Sequence, residues 1–120
     1  MARRQQPEAL IQEAVVQHLR ARGAPGMVFL HCPNGGYRRP IEAAIFKAMG
    51  VRAGTADLLL WRGGNSYALE LKAPGGRVSV SQFEFLADFD RAGGFSCVCD
   101  GIDNALLTLE CWGLLIGRLT

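Results

Sequence analysis

Two hydrophobic periods alternate along this chain, and glycine separates the stretches that follow each. From Pro7 to Arg22, Leu10, Ile11, Ala14, Val15 and Leu19 recur at helical spacing. Pro7 suits a first helical turn, Arg20 and Arg22 complement the dipole at the far end, and Gly23 can cap it. Met27–Cys32 is a short apolar run that reads as a strand, closed by the turn signal Pro33-Asn34-Gly35-Gly36. A second helix is predicted from Pro40 to Met49, stopping at Gly50. Thr55–Trp61 and Ser66–Lys72 flank Arg62-Gly63-Gly64-Asn65 and form the clearest hairpin, which ends at Pro74-Gly75-Gly76. Val80–Arg91 reads as a helix started by a Ser79/Gln82 capping box and stopped at Gly93-Gly94. Phe95–Cys99 is a strand that can return parallel through that helix, and Asp103–Cys111 is a last helix. The order α-β-α-β-β-α-β-α predicts an α/β fold of α+β type, a mixed sheet flanked by helices, in one domain over residues 1–120.

The hairpin has one face that packing does not explain. Alternation puts Leu69 and Leu71 on one side of the strand and Glu70 and Lys72 on the other. A two-residue turn at Gly63-Gly64 pairs Arg62 with Asn65 and sets Asp57 opposite Glu70. A turn at Gly64-Asn65 sets Asp57 opposite Lys72 instead. A three-residue turn moves Asp57 to the other face and dissolves the cluster. Opposed carboxylates destabilise a strand pair. A hard divalent cation such as Mg²⁺ is the natural compensator. Two carboxylates with a lysine suit phosphodiester hydrolysis, in which a metal polarises the phosphoryl oxygen and a lysine steadies the developing charge. The competing reading is a solvated strand face, since Glu-x-Lys alone is common.

Charge sharpens this picture slightly. The net charge is +2, but residues 1–56 hold eight Lys/Arg against three Asp/Glu, and residues 57–120 hold five against eight. A basic first half suits a polyanionic partner. Cys32, Cys97, Cys99 and Cys111 lack zinc-site spacing and read as reduced, buried structural thiols, with Cys97 and Cys99 on the same side of a strand. No stretch has the length of a membrane span and no signal-peptide pattern is visible, so an intracellular, cytoplasmic location is expected. His31 reads as a core or sheet-edge residue, His18 as exposed, and Trp61 and Trp112 as packing residues. There is no nucleophilic triad, P-loop or dinucleotide fingerprint, and no organic cofactor is expected.

Gly54-Thr55-Ala56-Asp57-Leu58-Leu59-Leu60, Ala68-Leu69-Glu70-Leu71-Lys72 and Ser79-Val80-Ser81-Gln82, in that order, resemble the PD-(D/E)XK nuclease superfamily. More narrowly they resemble the VRR-NUC (virus-type replication-repair nuclease) domain. Upstream, Glu8-Ala9-Leu10-Ile11-Gln12, His31-Cys32-Pro33-Asn34-Gly35 and Ala48-Met49-Gly50-Val51 resemble the family's opening segments. Downstream, Gly93-Gly94 and an apolar strand follow at the family's distance, so the likeness covers most of the chain. Ala56 stands where the superfamily name records proline.

The resemblance implies a restriction-endonuclease-like sheet and a Mg²⁺- or Mn²⁺-dependent endodeoxyribonuclease. It implies Asp57, Glu70 and the Leu71 carbonyl as metal ligands and Lys72 as the catalytic lysine. Gln82 would support the site or contact the substrate. Glu8 would be the helix carboxylate reaching the metal, with Glu13 as a rival on another side of the helix. Asn34, Arg38, Arg39, Lys47, Arg52 and Arg77 are candidates for DNA contact, against the plain reading of turn and surface residues. Stand-alone members are compact viral or bacterial proteins that resemble Holliday junction resolvases and act as homodimers. The expected partner is therefore branched DNA, in DNA repair within the host cytoplasm. Flap, nicking or restriction-type cleavage is the alternative within the class, and a non-catalytic DNA-binding module is the alternative outside it.

Overall fold

The computed structural model describes residues 7–33 and 39–117. The elements are α1 (Glu8–Arg22), β1 (Val28–His31), α2 (Pro40–Ala48), β2 (Leu58–Arg62), β3 (Asn65–Lys72), α3 (Val80–Arg91), β4 (Phe95–Asp100) and α4 (Gly101–Cys111), in the predicted order. The sheet runs β1-β2-β3-β4, antiparallel at the first two pairings and parallel between β3 and β4. The turn at Gly63-Gly64 holds two residues, because Arg62 pairs with Asn65 and Leu58 with Leu69. Both turn glycines have positive φ, as a tight hairpin turn of this hand requires.

The sheet has two different faces. Leu58, Leu60, Leu69 and Leu71 pack on Ile11, Val15 and Leu19 of α1 and on Ala105 and Leu109 of α4. Burying each of the larger aliphatic chains contributes roughly 1.5–3 kcal/mol. The other face is thinner: Ala56 and Ala68 lie under Leu86, Phe85 and Phe89 of α3. Small residues there let α3 lie close to the sheet. α2 carries no buried residue.

Several local expectations change. β2 begins at Leu58 rather than Thr55, so Asp57 sits just ahead of the strand. Pro7 is the N-cap, its carbonyl accepting from Leu10 and Ile11, and the first helical residue is Glu8. Gly23 is extended rather than left-handed because it bridges Leu115. α4 starts two residues early, directly on the end of β4. His18 is half-buried and accepts from Arg22 Nε at 3.1 Å. Of the cysteines only Cys99 is buried, and Cys111 is exposed. Cys97 and Cys99 do share a side, with sulfurs 3.7 Å apart. Burial pushes the Cys99 thiol up to about 11, which keeps it unreactive. Trp112 packs on Tyr67, but Trp61 on β2 stays partly exposed.

Candidate active site

The site forms where β2 stops short of β3. The ladder ends at Leu58–Leu69, leaving the backbone of Leu71 without a strand partner on that side. The Leu71 N–H donates to Asp57 Oδ2 at 2.7 Å. The N–H and C=O of one strand residue point to the same side. The Leu71 carbonyl therefore also faces the gap that Asp57 closes. The Asp57 carbonyl in turn accepts from Cys32 N–H at 3.1 Å and pairs with His31 Nδ1 at 2.8 Å. The end of β1 thus fixes the Asp57 backbone while its carboxylate reaches β3.

Glu70 and Lys72 stand on the α3 face of β3, and both are buried. Lys72 Nζ lies 3.3 Å from Glu70 Oε2 and donates to Gln82 Oε1 at 2.8 Å. That same oxygen accepts from Ser79 N–H at 2.9 Å in the capping box, while Ser79 Oγ accepts from Gln82 N–H at 3.2 Å. The cap that starts α3 therefore also holds the lysine. Glu70 Oε1 is buried without a partner.

The electrostatics oppose two bare carboxylates. Burial first, and the Asp57 charge second, raise the Glu70 carboxyl to about 7. Burial also raises Asp57, against the lowering effect of the Leu71 N–H. Glu8 adds to both shifts, so it is the α1 carboxylate whose field acts on the site. Glu13 lines a groove between α1 and β1 together with Gln12 and His31.

Among the described residues, no three Asp, Glu, His or Cys side chains converge to hold an ion alone. Asp57, Glu70 and the Leu71 carbonyl make an all-oxygen set with one unpaired buried oxygen. That fits Mg²⁺, which commonly takes one or two carboxylates and completes its shell with water and substrate phosphate.

The candidate DNA-contacting residues are dispersed. Asn34 and Arg38 lie outside the described residues. Arg39 pairs with Glu42 at 3.2 Å on α2. Arg52 is held by Asp88 at 2.6 Å and lies over the Phe85 ring, so it fastens its loop to α3. Lys47 and Arg77 are exposed.

Two contacts at the site were not read from sequence, although both residues were named there. His31 supports the Asp57 carbonyl, although the sequence offered only a histidine after an apolar run. Gly54, at φ +79°, lies against α3: an added Cβ would meet the Ser81 carbonyl at 2.4 Å and Gln82 N at 2.7 Å. Its position three residues before Asp57 was the available signal.

Comparison with known proteins points the same way. The family model of the VRR-NUC domain matches residues 6–103. A solved structure described as a VRR_NUC domain protein is similar at 26% identity and a TM-score of 0.74, covering 89% of this chain and 88% of its own. No curated protein matches the sequence.

Proposed function

The chain belongs to the VRR-NUC domain family, whose fold is of nuclease type and whose members are generally divalent-metal dependent, and from that premise we propose that it is a Mg²⁺- or Mn²⁺-dependent endonuclease acting on branched DNA as a homodimer. The observation that carries the catalytic part is the cluster of half-buried Asp57 with buried Glu70 and Lys72, including a Glu70 oxygen that no protein group pairs. An electrostatic conflict of this kind inside a fold is typical of a functional site.

Asp57, Glu70 and the Leu71 carbonyl would hold the ion. When bound, it supplies Lewis acidity to the phosphoryl oxygen and acidity to water. The chain's own groups set the geometry. The Leu71 N–H and His31 fix the two ends of Asp57. Gln82 keeps the Lys72 ammonium pointed along the α3 face rather than collapsed onto Glu70 alone. There Lys72 can stabilise negative charge developing on the phosphate or orient the attacking water.

Branched DNA and the homodimer rest on one consideration of shape. Ile41, Ile45 and Met49 recur every four residues along and just beyond α2 and are 66%, 53% and 75% exposed. An apolar stripe on an outlying helix suits pairing with a second copy. A two-fold pair of active sites matches the near two-fold symmetry of a four-way junction. The test is cleavage of a four-way junction, a flap and a plain duplex, each with and without Mg²⁺. The proposal expects metal-dependent cutting with preference for the junction, lost in Lys72→Ala. Wild type cutting none of the three, or Lys72→Ala cutting equally well, would overturn it.

A further inference from the structure

Gln12 poses a problem that the catalytic cluster leaves open. Both its Oε1 and its Nε2 are buried and neither has a hydrogen-bond partner. A buried amide left unpaired loses its hydration without replacement, and Gln12 does so at both its donor and its acceptor. Such a residue in a well-packed helix calls for a reason. Stability alone would favour Leu or Met, since its neighbours Ile11 and Val15 are fully buried core residues.

Its placement supplies the reason. Gln12 lies one helical turn after Glu8, on the same side of α1. Helical side chains lean toward the N-terminus, so the Gln12 amide is carried back over the turn that bears Glu8. Glu8 is exposed at the first position of α1, while its charge already acts on Asp57 and Glu70. Gln12 also shares a groove wall with His31, whose ring holds the Asp57 carbonyl. The unpaired amide thus lies one turn from the helix carboxylate and borders the same groove as the histidine that fixes Asp57.

We propose that Gln12 is a positioning residue: its Nε2–H donates to the Glu8 carboxylate and holds it toward the cation at the centre. This rests on the metal-dependent reading above. Ligating carboxylates are commonly oriented by hydrogen-bond donors behind them. The pairing also gives the buried Nε2–H the acceptor it lacks.

The test is Mn²⁺ titration by calorimetry into the metal-free full chain, as wild type, Gln12→Leu, Glu8→Ala and the double variant, with thermal melts of each. Gln12→Leu should melt at or above wild type without metal. It should bind Mn²⁺ roughly tenfold more weakly. The same substitution should add nothing in the Glu8→Ala background, because it acts through Glu8. Unchanged Mn²⁺ affinity in Gln12→Leu, or an additive loss in the double variant, would overturn the proposal. Should Gln12→Leu fail to fold, Gln12→Met replaces it on the same criteria. Wild type binding no Mn²⁺ would overturn the metal-dependent reading itself, and this proposal with it.

Discussion

Glu70 is 2% exposed, faces a second carboxylate, and keeps one oxygen unpaired. Its carboxyl sits at about 7 against an ordinary 4.5, with burial as the main cause. Between those two values the folded protein holds the proton more tightly than the unfolded chain does. Stability is therefore fully present below the lower value and falls as pH rises through the upper one. Asp57 shifts in the same direction. Glu70→Gln removes the titration, so the metal-free variant should melt several degrees above wild type at pH near 8 and show a flatter profile. It should also lose most of the stabilisation that Mn²⁺ confers on wild type. Thermal melts across pH, with and without Mn²⁺, check both parts; a metal-free Glu70→Gln that melts below wild type at alkaline pH would contradict them. Lys72 separates binding from chemistry. Lys72→Met should lower cleavage by about 10²–10³-fold while binding Mn²⁺ at least as well, since a neighbouring cation has gone. Single-turnover rates beside Mn²⁺ titration distinguish the two effects.

At the scale of elements, the site depends on two chain segments that approach unusually closely. The loop before β2 passes under the first turn of α3 at Gly54, where no Cβ fits. That approach puts Gln82 within reach of Lys72. Gly54→Ala adds both a backbone clash and strain at positive φ, so it should destabilise by about 1–3 kcal/mol or more. It should also slow cleavage by displacing the start of α3. Gly64→Ala is the matched control: its φ is +83° but its surroundings are open, so it carries strain alone, about 1–2 kcal/mol, and leaves cleavage of the folded fraction unchanged. Denaturant melts and rates for the pair decide this. The same contrast shows what the sequence could convey. The eight elements and their order were legible because period and punctuation are local. The expected opposition of Asp57 and Glu70 depended on turn length, which two adjacent glycines leave open; the ladder from Arg62–Asn65 to Leu58–Leu69 sets that register but ends one pair short, and the Asp57 carboxylate bonds the Leu71 N–H instead. Gly54 was readable as a motif letter but not as a contact, because its neighbour Ser81 lies far along the chain. The orphaned Gln12 amide was invisible for a related reason. A polar residue on an amphipathic helix looks solvated until the packing around it is known.

For the whole molecule, the decisive question is how many active sites meet one substrate. On the proposed function, each chain carries one catalytic cluster at the open end of its sheet, and a four-way junction substrate needs paired incisions. α2 is the element best suited to join two copies, since its apolar stripe stays exposed among the described residues. Across a two-fold axis the stripe would meet itself, with Ile45 near the middle. Ile45→Glu would set two carboxylates against each other there, while leaving the chain's own core untouched, because Ile45 is 53% exposed. The variant should sediment as a monomer at concentrations where wild type sediments as a dimer, and keep its metal-free melting temperature within a few degrees. Its Mn²⁺ affinity should equal that of wild type, since the proposed ligands all come from one chain. A supercoiled plasmid with an extruded cruciform then reads the consequence directly. Wild type should convert it to linear product by paired cuts before dissociation. Ile45→Glu should yield nicked circles first, with linear product trailing as a separate event. Linear product from a monomeric Ile45→Glu at the wild-type rate would show that pairing through α2 is not how this nuclease makes its cuts.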